Sequence, residues 1–193
     1  MRRSGFALVP LLFCVSAAAQ PFQHSSGEYR EYNRDWLAAC PNFIDEEANS
    51  WYGYSCFAST ASQEMNSANL PVYKLTMVLN RLDGATDIAI TVAADKLSYD
   101  QSRPIQLKFT NLPPIALKMG NSLEIRDNTI NQFFISDAAL SATVLEHMKE
   151  RNALILSVPV VGQIRPVETR LSTQGVLASL DFMSTHARKV AQY

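Results

Sequence analysis

Apolar residues return at every second position through the middle of this chain, and turn-forming residues cut the pattern into short lengths. In "PVYKLTMVLN" (71–80), Tyr73, Leu75, Met77 and Leu79 share one face, while Val72, Lys74, Thr76 and Val78 share the other. A period of two marks a strand with one wetter face. Asp83-Gly84 is a tight-turn signal, and Ile88, Ile90 and Val92 then resume the alternation, so 71–80 and 87–93 read as a hairpin. The rhythm continues through Ile105, Leu107 and Phe109, then Ile115, Leu117 and Met119, with "NLPP" (111–114) and "GN" (120–121) as joints. "SLEIRD" (122–127) and "TINQFFI" (129–135) follow. Short strands at close spacing, with Pro and Gly between them, belong to sandwiches and barrels.

Helical spacing enters twice. Ser136 and Asp137 can cap a helix in which Leu140, Val144 and Met148 recur every four residues, ending near Arg151-Asn152. "ALILSVPVV" (153–161) and "PVETRLS" (166–172) then read as strands, with Pro159 marking an edge or bulge. From Thr173 onward, Val176, Leu180, Met183, Ala187 and Val190 form one apolar stripe. That stripe is expected to pack on the β-structure; docking on a partner is the alternative.

The first residues carry an address. "MRRSGFALVPLLFCVSAAAQ" has Arg2 and Arg3, an apolar stretch from Phe6 to Val15 and small residues Ala17-Ala18-Ala19. It reads as a secretory signal peptide over 1–19, cleaved after Ala19, on the general secretory route. Lipid attachment at Cys14 is disfavoured by bulky Phe13, and twin-arginine export by a poor fit after the arginines. Residues 20–34 are polar and read as a loose N-terminal arm, leaving 35–193 as one domain. No later apolar run is long enough for a transmembrane segment. The expected location is the periplasm or outside the cell. Without 1–19, Lys+Arg falls from 17 to 15 against 18 Asp+Glu, a net charge of about −3. A mildly acidic chain with no basic block is a poor partner for nucleic acid.

Loss of 1–19 also removes Cys14 and leaves Cys40 and Cys56. In an oxidising compartment such a pair is most simply a disulfide. It would close a loop of about 15 residues and stabilise by about 3 kcal/mol. The alternatives fit less well. A redox pair wants Cys-x-x-Cys. Structural zinc wants four ligands, and His24, His147 and His186 have no paired spacing. A nucleophilic thiol wants a basic neighbour.

Catalytic signatures are sparse. There is no Gly-x-Ser-x-Gly elbow, Glu146-His147 has the wrong order and no second His for a zinc-protease helix, and the seven glycines form no phosphate loop. The chain therefore reads as a non-enzyme with no cofactor and no metal, and a hydrolase of unfamiliar type as the weakest alternative. Trp51, Tyr52, Tyr54 and Phe57 cluster around Cys56. They read as core packed around a disulfide or, alternatively, as a ligand groove for a small molecule.

"DWLAAC" (35–40) resembles the Asp-Trp-x-x-x-Cys opening of the invasion-associated locus B family of exported bacterial proteins, and "YGYSCFAS" (52–59) is similar to its second cysteine segment. The order of "PIQLKFTNLPPIALKMGNSLEI", "LSATVLEHMKERNAL" and "ILSVPV" is also similar. "TRLSTQGVLASLDFM" resembles the closing Ser-Leu-x-Gly-Phe-x-x-Ala-Leu pattern, with Thr173 and Val176 departing from it. Arg151-Asn152 stands where the family usually has a glycine after the helix. The resemblance covers about residues 35–185. It implies a mainly β, immunoglobulin-like β-sandwich with one short internal helix and a C-terminal helix, and a disulfide between Cys40 and Cys56. Some members of that family are linked to host-cell invasion. The resemblance supplies no catalytic residues. Apart from the resemblance, the signal peptide, the disulfide, the strand rhythm and the lack of catalytic spacing point to an unidentified protein or envelope component as partner.

Overall fold

The computed structural model describes residues 20–43, 53–95, 98–126, 129 and 131–190. The strands are β1 (Phe22–Gln23), β2 (Glu28–Asn33), β3 (Trp36–Pro41), β4 (Ser55–Ala61), β5 (Tyr73–Asn80), β6 (Thr86–Val92), β7 (Ile105–Phe109), β8 (Ile115–Leu117), β9 (Leu123–Glu124), β10 (Gln132–Ile135), β11 (Ala153–Val158) and β12 (Val167–Ser172). The helices are α1 (Ala138–Glu150) and α2 (Val176–Val190). Two antiparallel sheets result. One has the order β1-β2-β3-β4-β5-β6-β10-β9 and the other β12-β11-β7-β8. The expected mainly β sandwich, with one internal and one C-terminal helix, is the fold of the chain.

The central strands of both sheets contribute side chains to a shared core. From the larger sheet come Trp36, Ala38, Leu75, Met77, Ile88, Ile90, Phe133 and Ile135; from the smaller come Ile105, Leu107, Leu154, Leu156 and Leu171. The helices add Val144, Met148, Val176, Phe182 and Met183 to the same core, so both helices and the smaller sheet cover one face of the larger sheet. In the C-terminal stripe, Val176 and Met183 are fully buried and Leu180 and Ala187 pack against the core, as expected of a helix that docks on its own sheet. The side chain of Val190 lies outside the description.

Local chemistry sets the boundaries. Asp137 caps α1 by accepting a hydrogen bond from the Leu140 N–H at 2.9 Å. The β5–β6 hairpin turns at Gly84 with φ of +75°. Residues 20–34, read from sequence as a loose arm, instead contain β1 and β2. β2 pairs with β3 along its whole length, Glu28 with Pro41 through Asn33 with Trp36. The reason is cross-strand pairing: once β3 is anchored by Trp36 and Cys40, its free edge templates β2.

Cys40 and Cys56 form a disulfide with Cα atoms 4.2 Å apart. The β3–β4 register pairs Leu37 with Ser59 and Ala39 with Phe57, which sets Cys40 opposite Cys56. The bond therefore staples neighbouring strands within one sheet, at the mouth of the loop they enclose. Arg81 braces the same place, donating to the carbonyls of Pro41 at 3.0 Å and Phe43 at 2.6 Å.

Candidate functional site

A cleft of about 660 Å³ opens between the two sheets, lined by Asp35, Thr60, Ala61, Gln63, Glu64, Thr169, Arg170 and Ser172. Its size is that of a ligand site. One wall is β12, which pairs with β11 on one side and, among the described residues, has no strand on the other. The other wall is the end of β4 and the residues after it.

The strand register shows which backbone groups face this cleft. Thr173 N–H donates to the Asn152 carbonyl, making that pair a hydrogen-bonded one. Alternation along an antiparallel ladder then turns the backbone groups of Thr169 and Leu171 toward β11. Those of Glu168, Arg170 and Ser172 point outward. Ser172 confirms the direction, because its carbonyl accepts from the Trp36 indole N–H at 3.1 Å across the seam between the sheets. The same logic applies to β4. Ser62 N–H donates to the Tyr73 carbonyl, so Thr60 faces β5 and Ala61 faces the β3 side. β3 begins at Trp36, and Ala61 has no strand partner there. Outward-facing backbone from two sheets therefore meets in one space.

Charge is arranged around that space. Asp35 stands in the β2–β3 turn, entered through Arg34 at φ of +57°. Glu64 follows β4, and its carboxylate adds to the rise that burial imposes on the Tyr73 phenol. Arg170 projects from the outer face of the smaller sheet. Among the described residues Asp35, Glu64 and Arg170 take part in no ion pair, whereas the neighbouring Glu168 is held by Lys108 at 2.6 Å. That partner and its hydrogen bond keep the Glu168 carboxyl below its usual range. A smaller cleft of about 220 Å³, lined by Lys108, Phe109, Thr110, Ala153, Leu154 and Ile155, shares Arg170 with the first.

The residues singled out from sequence fall elsewhere. Cys40 and Cys56 are buried and joined. Trp51 and Tyr52 lie outside the described residues. Tyr54 and Phe57 pack against Val78, Ala89 and Phe134 on the opposite face of the larger sheet, and line neither of the two clefts. The Arg126 guanidinium sits 4.7 Å above the Phe134 ring there, paired with Asp87 and Glu124. His186 is buried beneath Tyr29, stacked on Phe182, with Nδ1 3.0 Å from the Phe182 carbonyl. His147 meets Phe109 edge-on. Neither imidazole lines either cleft. Among the described residues no group of three His, Cys, Asp or Glu side chains is placed to hold a metal ion, and no helix is long and apolar enough to cross a membrane.

Sequence reasoning did not find the cleft. Asp35 and Arg170 lie inside the segments quoted for the family resemblance, but nothing in their spacing marks them as neighbours. Comparison with protein families, with curated proteins and with solved structures found no match.

Proposed function

We infer that this chain is an exported, disulfide-stapled β-sandwich that works by binding another protein or an envelope component. One observation carries the reading: the seam between the sheets holds a cleft whose walls present outward-facing backbone and charged side chains that make no ion pair among the described residues. Such groups are wet in the free protein and gain partners only when something docks. The disulfide and the signal-like residues 1–19 support an oxidising, exported setting. A role at the envelope or against a host surface rests on the resemblance alone.

Catalysis has less support, because the residues that line the cleft beside its two carboxylates are Thr60, Ala61, Gln63, Thr169, Arg170 and Ser172, with neither histidine nor cysteine among them. The aromatic-groove reading has less support as well, since Tyr54 and Phe57 spend their faces on Val78, Ala89 and Phe134. The test is affinity capture from envelope extract with the purified exported chain as bait. A saturable partner, competed by free chain, is the expected result. Failure to retain any component across several growth conditions would remove the binding reading.

A further inference from the structure

We propose that the cleft receives an extended polypeptide segment, added as a strand along the free edge of β12, with a basic side chain set against Asp35 and Glu64 and an acidic one against Arg170. The inference rests on the binding-module reading and names the ligand class for it.

Three observations converge. The cleft touches both Thr169 and Arg170, which point to opposite faces of the smaller sheet, so it runs along the strand edge and not over a face. The edge is free where it lines the cleft: the register turns the Arg170 N–H and C=O outward, and on the facing wall Ala61 does the same. An incoming strand would find main-chain partners on β12 and a second exposed backbone across from it. Main-chain pairing of this kind supplies affinity, and pockets for alternate side chains supply selectivity. The third observation is charge. Two carboxylates and one guanidinium line a cleft that otherwise offers Thr60, Ala61, Gln63, Thr169 and Ser172. Apolar ligands gain little from such walls, while a polar peptide carrying both charges satisfies every one of them. Natural proteins protect free edges against indiscriminate pairing. Here the Trp36 indole already occupies the Ser172 carbonyl and closes one end, which limits entry to the stretch before it.

The experiment uses the full exported chain, immobilised, and a random library of linear twelve-residue peptides. Enriched sequences are expected to combine β-branched residues with a Lys or Arg and an Asp or Glu. The best binder is then resynthesised with N-methyl groups on alternate residues, in both phases. Methylation in the phase that faces β12 should weaken binding at least tenfold, and the other phase should weaken it less. D35N combined with E64Q should cost a similar factor and abolish the preference for the basic residue. R170P, which removes the outward N–H but none of the β11 ladder, should lose more affinity than R170Q. The proposal falls if no peptide is enriched, or if binding ignores both N-methylation phases and the D35N/E64Q change. An envelope partner held equally well by R170P and by D35N/E64Q would retain the binding-module reading and reject this cleft as its site. Peptides that bind as described, with no envelope partner captured, would keep the cleft as a peptide site and remove the envelope component as the source of its ligand.

Discussion

Gly175 ends the turn from β12 into α2 with φ of +109°, and a Cβ added there would collide with the carbonyl oxygen of Asn33. Two penalties coincide at this one position. L-residues rarely adopt that backbone conformation, and the obstacle is main chain, which cannot swing aside. Gly175 is also the glycine of the closing pattern that carries the family resemblance, and close approach of α2 to β2 is a physical reason for a glycine there. Gly175→Ala is expected to lower stability by about 3 kcal/mol. Urea unfolding would show this as a lower midpoint at unchanged slope. A midpoint within error of the parent would mean that the α2 entry yields more easily than its geometry indicates. From sequence, Gly175 could be noted only as a break before a helix; the carbonyl that makes it obligatory comes from a strand some 140 residues earlier.

Between elements, the disulfide is the strongest local constraint. β3 and β4 are adjacent in the sheet, so the bond adds little to native contacts and acts by restricting the unfolded chain across a separation of 16 residues. Replacing both cysteines by alanine should cost about 2–5 kcal/mol. Reductant should lower the melting temperature of the parent toward that of the variant and leave the variant unmoved. Equal melting of the parent with and without reductant would contradict this. β5, β6 and β7 were legible because each buries one alternate row, such as Leu75 and Met77, or Ile88 and Ile90. β2 was not, because the residue it turns inward beside Ala38 is Glu31. Burial raises that carboxyl, and the His186 charge on α2 partly offsets the rise while Asp181 adds to it. A strand that packs its inner row on polar helix residues leaves no hydrophobic period to read. The cleft was hidden for a related reason. An edge is a property of topology, and β12 is an edge because, among the described residues, no strand other than β11 pairs with it.

At the scale of the molecule, the sandwich depends on the crossing where the chain leaves the larger sheet after β6 and enters the smaller one at β7. Tyr99 lies in that crossing. It bridges to Val160, sets its ring edge-on to Phe133 of the larger sheet at 5.2 Å and donates its hydroxyl to the Arg103 carbonyl at 3.2 Å. Arg103 in turn pairs with Asp100 and donates to the carbonyls of Val160, Gln163 and Ile164, tying the crossing to the β11–β12 connection. Burial, with the Asp100 carboxylate second, pushes the Tyr99 phenol up to about 12. An unfolded tyrosine ionises near 10. Between those values the unfolded chain releases this proton while the folded chain keeps it, so the unfolded state binds fewer protons and stability falls as pH rises. The contribution is therefore complete below about pH 10 and is lost as pH climbs through about 12. Tyr99→Phe should cost about 1 kcal/mol at neutral pH through the missing hydrogen bond, yet decline less steeply in alkali. Urea midpoints of the two proteins, measured in steps from pH 8 to 12, should converge. Curves that stay parallel over that range would show that the phenol ionises without opening the crossing, and that the two sheets are held together elsewhere.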